Sequence, residues 1–130
     1  MSEPKDHSQT PLDQLRLAEL GPRDKISTHF RLYELSISEL ADRQGIDNRI
    51  PDDATLRTAV HLARSVLEPV RVQFGALTPN SVYRSQALER ALKNKPASWI
   101  STSPHTRGCA CDIEIVAKPT LEFASWCAEN

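Results

Sequence analysis

The expected fold is decided by one stretch, Ser103-Pro104-His105-Thr106-Arg107-Gly108-Cys109-Ala110-Cys111-Asp112-Ile113. It predicts a loop that leads into a buried strand, with His105 in the loop, Gly108 at the turn and Asp112 inside the strand. A neutral imidazole and a carboxylate are two of the ligand types that a catalytic zinc takes. The glycine between them gives the chain room to bring both groups to one ion. A metal site of this kind needs a third ligand as well.

Composition excludes several classes of protein. The 130 residues suit one domain, and 39% apolar with 25% charged residues is typical of a globular protein. A net charge of -1 gives no electrostatic basis for binding nucleic acid or an acidic membrane. No apolar run approaches the roughly 18 residues of a membrane span, and the N-terminus lacks the pattern of a signal peptide. We therefore expect a cytoplasmic protein, unless cell lysis releases it or a phage particle carries it.

Side-chain alternation in the strand after Gly108 separates two faces. Cys109 and Cys111 share the apolar face, whereas Asp112 and Glu114 share the other, which we expect to face a cleft or solvent. This argues against Cys111 and Asp112 binding one metal. The three cysteines, with no signal peptide, are interpreted as buried thiols.

The polar, proline-containing residues 1–24 predict an extension or linker that docks loosely or not at all, with His7 exposed. Residues 25–130 form the predicted domain. Its clearest helix begins at Asp52 or Asp53, and Pro69 should kink it or end its regular part. The apolar stripe of this helix consists of Leu56, Ala59, Val60, Ala63, Val66, Leu67 and Val70.

The other predicted elements are shorter. The first is a helix capped by Ser36 or Ser38 and closed by Gly45. A strand follows between Leu77 and Tyr83, and Pro79 should confine it to a sheet edge or to the start of the strand. Two more helices complete the prediction: one capped by Ser85, with Leu88, Ala91 and Leu92 facing inward, and a last one from Pro119 or Thr120 to Cys127.

Three segments carry a family resemblance. They are His29-Phe30 through Pro51, then Val66-Leu67-Glu68-Pro69-Val70-Arg71 through Ser81-Val82-Tyr83-Arg84-Ser85, and then the pattern S-x-H-x-x-G-x-A-x-D-I from Ser103 to Ile113. In order and spacing the chain resembles the zinc D-alanyl-D-alanine carboxypeptidases and endopeptidases of bacterial cell walls and phage lysis proteins, above all their short phage- and prophage-associated branch.

The resemblance implies an α+β fold of the hedgehog and DD-peptidase type, in which helices flank a small antiparallel sheet. It also implies zinc as the cofactor, with His105 and Asp112 as two ligands. Arg84 would lie beside the metal and bind the substrate carbonyl or the developing oxyanion. The supporting residues that the resemblance marks are Ser81, Tyr83, Ser103 and Gly108, with the two serines acting through hydrogen bonds.

The implied function is zinc-dependent hydrolysis of D-alanyl peptide bonds in peptidoglycan stem peptides or cross-links, as in a cell-wall peptidase or endolysin domain. A zinc with three protein ligands keeps a position for water and lowers the pKa of that water toward about 7. A glutamate then moves the proton, and an arginine stabilises the charge that develops on the carbonyl oxygen. The expected partner is a peptidoglycan peptide, with a phage particle or another protein as a further possibility.

The sequence departs from the family in two places. Val82 stands where a glycine is usual, and valine disfavours a positive φ. The family's third ligand is a histidine in a tryptophan-x-histidine context after the aspartate, with the general-base glutamate just before it. His7, His29 and His61 all precede the motif, so none occupies that position. Glu114, on the face of Asp112, is the weak candidate for the base.

Three alternatives therefore stay open. The chain is part of a longer peptidase, or it is a short protein that has lost half of the site. In the second case it would be a non-catalytic wall-binding or phage structural component. In the third, no metal binds: His105 only bonds to its own loop and Asp112 caps a turn.

Overall fold

The computed structural model of the protein describes residues 3–115 and 121–123. Within them, the side chains of residues 78, 80, 81, 112–115 and 121–123 lie outside the description. The helices are α1 (Glu39–Gln44), α2 (Asp53–Leu62), α3 (Glu68–Phe74) and α4 (Gln86–Lys93). The strands are β1 (Leu77–Ser81), β2 (Cys111–Ile115) and β3 (Leu121–Phe123). Short 3₁₀ turns occupy Leu12–Gln14, Leu17–Glu19, Leu32–Leu35 and Pro104–Arg107.

Three of the predicted helix starts are confirmed, because a side-chain oxygen accepts a backbone N–H of the first turn at each. Ser38 Oγ caps α1 at 3.2 Å, Asp52 Oδ1 caps α2 at 2.7 Å and Ser85 Oγ caps α4 at 3.1 Å. Gly45 closes α1 with a φ of 66°, as its position in the sequence predicts.

The break expected near Pro69 is present as a π-helical turn. The turn spans Ala63–Leu67 and joins α2 directly to α3, so that one helical rod runs from Asp53 to Phe74. Proline lacks an N–H and its ring clashes with the carbonyl four residues earlier. Widening the helix ahead of Pro69 accommodates that ring without ending the rod.

The hydrophobic core lies against this rod. The rod supplies the fully buried side chains of Leu56, Ala59, Val60, Leu62, Ala63 and Leu67, which include most of the predicted apolar stripe. Loops and helical turns supply the facing side chains of Leu15, Ile26, Phe30, Leu35, Ile50, Val82 and Tyr83. Burial of these side chains removes apolar surface from water. Each Å² of apolar surface buried stabilises the fold by roughly 25 cal/mol, and this is the main source of stability.

The N-terminal segment packs against the body, in contrast to the loose docking that we expected. Leu15 is only 1% exposed and belongs to the core. Arg64 of the π turn donates to the carbonyl oxygens of His7 and Thr10 at 2.8 and 2.7 Å. His7, expected to be exposed, is partly buried, and its Nε2 lies 3.7 Å from Asp24 Oδ2. Composition alone did not reveal that the arginine satisfies carbonyls of this segment. The domain boundary at residue 24 stays a prediction.

A three-stranded antiparallel sheet in the order β1-β2-β3 borders the helical part. Leu77 pairs with Ile115 and Ser81 with Asp112, and the register shifts between Pro79 and Ser81. β1 therefore lies at an edge, where a residue without an N–H is tolerated.

The predicted α+β class, with helices packed on a small antiparallel sheet, was wrong as a description of how this chain is built. The described part is mainly helical, and the strands have only five, five and three residues. Among strand residues with a described side chain, Cys111 belongs to the hydrophobic core cluster, and Pro79 of β1 is also buried. The physical reason is that the apolar stripe of the rod is longer than that of any strand, so the rod organises the core.

The last predicted helix, Pro119 or Thr120 to Cys127, is also corrected where the structure describes it. Leu121–Phe123 form β3 and pair with Cys111, Asp112 and Ile113. The remainder of that prediction, like Val116 and Cys127, lies outside the described residues. Among the helices that are described, none combines the length and apolar character needed to cross a membrane.

Candidate active site

The turn that carries His105 is fixed at both ends. Ser103 Oγ accepts the His105 N–H at 3.3 Å, and Pro104 occupies the first position of the 3₁₀ turn. Gly108 ends the turn with a φ of 72°, a left-handed conformation that favours glycine. A Cβ on Gly108 would lie 3.1 Å from Ala59 Cβ and 3.2 Å from Thr55 O, so the turn rests directly on α2.

The His105 imidazole is buried, with 2% of the residue exposed. Its Nδ1 lies 3.0 Å from the carbonyl oxygen of Val82. Because a carbonyl can only accept, Nδ1 must carry the proton, and in the neutral ring the lone pair is then on Nε2. Metal-binding histidines are typically held in this way, with the second ring nitrogen donating to a carbonyl or carboxylate. His105 therefore has the tautomer of an Nε2 ligand.

The backbone of Asp112 lies beside this turn. Asp112 pairs with Ser81, which immediately precedes the residue whose carbonyl holds the His105 ring. The side chains of Asp112, Glu114 and Ser81 lie outside the described part of the structure. The shared cation of His105 and Asp112, the base role of Glu114 and the hydrogen-bonding role of Ser81 thus stay predictions.

Arg84 adjoins His105 through the backbone. The Arg84 N–H donates to the His105 carbonyl oxygen at 3.0 Å. Its side chain is 19% exposed. Nε lies 3.0 Å from Glu89 Oε2, and the two groups form an ion pair without the geometry of a hydrogen bond. Val82 stands where the family usually has a glycine, but its φ is not positive. Among the described non-glycine residues, Asn94 has a positive φ.

Asn48 holds the Tyr83-Arg84-Ser85 turn in place, a role that the sequence did not reveal. Its Nδ2 donates to Ser36 O at 2.9 Å and to Tyr83 O at 3.2 Å. Its Oδ1 accepts the Ser85 N–H at 2.7 Å. The buried Asn48 amide thus bonds to Tyr83 and Ser85, the residues on either side of Arg84. In the sequence, only the position of Asn48 in the first segment that resembles the family pointed to its importance.

Replacing Asn48 with alanine should lower the free energy of unfolding by about 2–3 kcal/mol, because the buried Tyr83 carbonyl and the partly buried backbone groups of Ser36 and Ser85 lose their partner. Chemical denaturation in urea measures the change. Gln44→Ala, which removes an exposed amide from the end of α1, is the matched control and should change stability by less than about 0.5 kcal/mol. Equal stabilities of the two variants would contradict the role given to Asn48.

Glu89 is the second residue that the sequence did not reveal. It is 0% exposed, and Oε1 accepts from Ser101 Oγ at 2.6 Å and from Lys93 Nζ at 3.2 Å. We expected Leu88, Ala91 and Leu92 to face inward. Leu88 does so, but Ala91 is exposed and Leu92 is 45% exposed, so both were predicted wrongly. Glu89 is the other buried residue of α4. The i to i+4 spacing of Glu89 and Lys93 was a signal, although it usually marks an exposed pair.

The other histidines do not complete the site. His29 Nδ1 lies 2.6 Å from Glu68 Oε1, at the start of α3. In the described part of the chain, no group of three or more histidine, cysteine, aspartate or glutamate residues could hold a metal ion. The structure thus brings together His105, Arg84, Tyr83, Ser103 and Gly108, and the side chains that it describes identify no third ligand.

Comparison with protein families gives a match to the model described as Peptidase M15, over residues 28–130. The chain belongs to the peptidase M15 family. This membership confirms the resemblance to the zinc D-alanyl-D-alanine peptidases. The match includes every residue that the resemblance marks, and leaves out the N-terminal segment. Neither curated proteins nor solved structures give a significant match.

Members of the M15 family are generally zinc-dependent, and His105 fits a zinc ligand by its tautomer and its carbonyl partner. The contact with the Val82 carbonyl fixes the orientation of the ring and, in its neutral form, places the lone pair on Nε2. His105 therefore meets the chemical requirement for one ligand of the family's metal. The Asp112 backbone lies at a neighbouring position, and its role as the second ligand stays a prediction.

Proposed function

We propose that this M15 chain hydrolyses D-alanyl peptide bonds in peptidoglycan stem peptides or cross-links, with zinc as its cofactor. The observation that carries the proposal is the juxtaposition of His105 and Arg84. The His105 ring is held through Nδ1 by Val82, and the His105 carbonyl accepts the Arg84 N–H at 3.0 Å. An imidazole with the tautomer of a metal ligand and a guanidinium thus lie on adjoining turns.

His105 and Asp112 would hold the zinc, which when bound supplies a Lewis acid and a water of lowered pKa. The Arg84 guanidinium would bind the carbonyl oxygen of the scissile bond. Because negative charge grows on that oxygen in the transition state, a fixed guanidinium stabilises the transition state more than the substrate. Glu114 would take the role of base if its carboxylate faces the same cleft as Asp112.

The test uses the 130-residue protein with one equivalent of zinc and a synthetic stem peptide that ends in D-alanyl-D-alanine. We expect release of D-alanine, measured by mass spectrometry. Arg84→Ala should lower kcat by about 10²–10³-fold, the usual effect of losing one oxyanion donor. Arg43→Ala, which removes an exposed arginine from α1, is the matched control and should retain full activity. No release by the zinc-loaded wild type would contradict the proposal.

A second candidate is a non-catalytic wall-binding or phage structural component. Its motivation is that His7, His29 and His61 all precede the motif, so none of them stands at the family position of the third ligand. This candidate predicts that the protein cosediments with purified peptidoglycan but releases no new amino or carboxyl groups from it. Cleavage of the synthetic peptide would exclude it.

A further inference from the structure

A buried carboxylate lies beside the guanidinium that the proposed function places on the substrate. Glu89 is fully buried, and burying a charge is unfavourable unless other groups pair with it. Three groups do so: the Ser101 hydroxyl, the Lys93 ammonium and the Arg84 guanidinium. Of these groups, the proposed mechanism uses Arg84 alone.

Glu89 is ionised at neutral pH. Burial by itself would raise the pKa of Glu89, but hydrogen bonds from Ser101 and Lys93 and the charges of Arg84 and Lys93 hold this pKa below the ordinary value of a glutamate. The group that faces Arg84 is therefore an anion, which can fix a guanidinium by charge as well as by contact.

The two oxygens of Glu89 have different partners. Oε1 accepts from Ser101 Oγ at 2.6 Å and from Lys93 Nζ at 3.2 Å, whereas Oε2 lies 3.0 Å from Arg84 Nε. The contacts to Oε1 fix the rotation of the carboxylate and so direct Oε2 toward the arginine. Ser101 is itself fixed, because its N–H donates to Gln86 Oε1 at 2.7 Å.

Arg84 is thereby held at both ends. Its backbone N–H is bonded to the His105 carbonyl, and its Nε lies against Glu89. The terminal nitrogens of the guanidinium make no hydrogen bond to another residue within the described part of the chain. A guanidinium has five donors in a fixed plane, so an anchor at Nε leaves the outer edge for a substrate oxygen.

We propose that Glu89 is a positioning residue that fixes the Arg84 guanidinium beside the His105 turn, so that its outer edge is oriented toward the scissile carbonyl before substrate binds. The inference rests on the proposed function, since it assigns Glu89 a role in that reaction. Orientation in advance matters because an oxyanion donor acts only if its geometry is already correct in the transition state.

The kinetic test compares Glu89→Gln, which keeps the shape of the side chain but removes its charge, with Glu39→Gln, which makes the same change at an exposed glutamate of α1. Glu89→Gln should lower kcat for the D-alanyl-D-alanine peptide by about 10- to 100-fold, with little change in KM or zinc content. Glu89→Asp should restore part of the loss, and Glu39→Gln should leave kcat within about twofold of the wild type.

A double-mutant cycle separates positioning from a general structural role. If Glu89 acts through Arg84, Glu89→Gln should have no further effect on kcat in an Arg84→Ala background. If Glu89→Gln lowers kcat by the same factor in both backgrounds, or leaves the wild-type kcat unchanged, the inference is overturned. Thermal unfolding of each variant shows whether it is folded at the assay temperature.

A second readout needs no activity. In a proton–nitrogen correlation spectrum, the Nε–H resonance of Arg84, assigned by its absence in Arg84→Lys, should shift in Glu89→Gln, because the carboxylate charge 3.0 Å from Nε is lost, and should keep its wild-type position in Glu39→Gln. An unchanged position in Glu89→Gln would overturn the inference. If the wild type cleaves no peptide but this resonance behaves as expected, the proposed function fails, and Glu89 holds Arg84 for a structural reason only.

Discussion

Replacing His105 with alanine is expected to abolish D-alanine release and to leave the purified protein with well under one zinc ion per chain. The reason is that His105 is buried and the Val82 carbonyl sets the tautomer of an Nε2 ligand. Loss of a partner outside the ligand shell already lowers metal affinity by about 10- to 100-fold. Loss of a ligand should lower it further.

Elemental analysis of the dialysed protein and a zinc titration measure the two quantities. His61→Ala is the matched control, because it removes a histidine from α2 and should leave both zinc content and activity unchanged. His105→Gln tests whether the loss of zinc and activity comes only from the empty space that alanine leaves. Glutamine fills much of that space and can still donate to the Val82 carbonyl. Wild-type zinc content in His105→Ala would show that the metal, if any, binds elsewhere.

Replacing Gly108 with alanine is expected to produce the largest loss of stability. The φ of 72° is unfavourable for alanine by about 1–2 kcal/mol. The new methyl group would in addition lie 3.1 Å from Ala59 Cβ and 3.2 Å from both Ala59 N and Thr55 O. Two of these atoms belong to the backbone of α2, which cannot move without disturbing the core, so crowding adds about 1–3 kcal/mol.

Gly45→Ala provides the control for this experiment. Gly45 has a similar φ of 66°, but no atom lies within 4 Å of the position that its Cβ would take. This variant should therefore lose only the conformational part, about 1–2 kcal/mol. Urea denaturation of both variants isolates the effect of close contact with α2. If the two variants lose the same amount, the His105 turn does not rest on the helix as described.

Local signals in the sequence predicted local structure well. Ser38, Asp52 and Ser85 cap the helices that they were expected to cap, because an N-cap depends on one side chain and the first turn after it. Pro69 predicted a disturbance of the long helix for a similarly local reason. These features need no knowledge of the tertiary structure.

Features that depend on distant partners were missed or wrong. Glu89 is buried because Arg84 and Ser101 surround it, and no spacing within α4 contains that information. Leu15 joins the core because Arg64 holds the preceding residues. Leu121–Phe123 pair with β2 although their sequence favoured a helix, because pairing with a neighbouring strand overrides local propensity.

The residues of the candidate site likewise fall into those that local sequence signals identified and those that depend on distant partners. The pattern from Ser103 to Ile113 identified His105 and Gly108 as important from their residue types and spacing. Recognition of Arg84 came from family resemblance, and the M15 match now gives that resemblance a firm basis. The hydrogen bonds of Asn48 to both sides of the Arg84 turn could be read only from the structure, since they join segments far apart in sequence.

The central claim is that His105 and Asp112 bind one cation beside Arg84. A crystal structure of the zinc-loaded protein, with anomalous scattering measured at the zinc edge, tests it most directly. We predict a single strong peak about 2.0–2.1 Å from His105 Nε2 and about 2.0–2.2 Å from an Asp112 carboxylate oxygen. A peak bound to other side chains, or an Asp112 carboxylate on the opposite face of the sheet from His105, would contradict the claim.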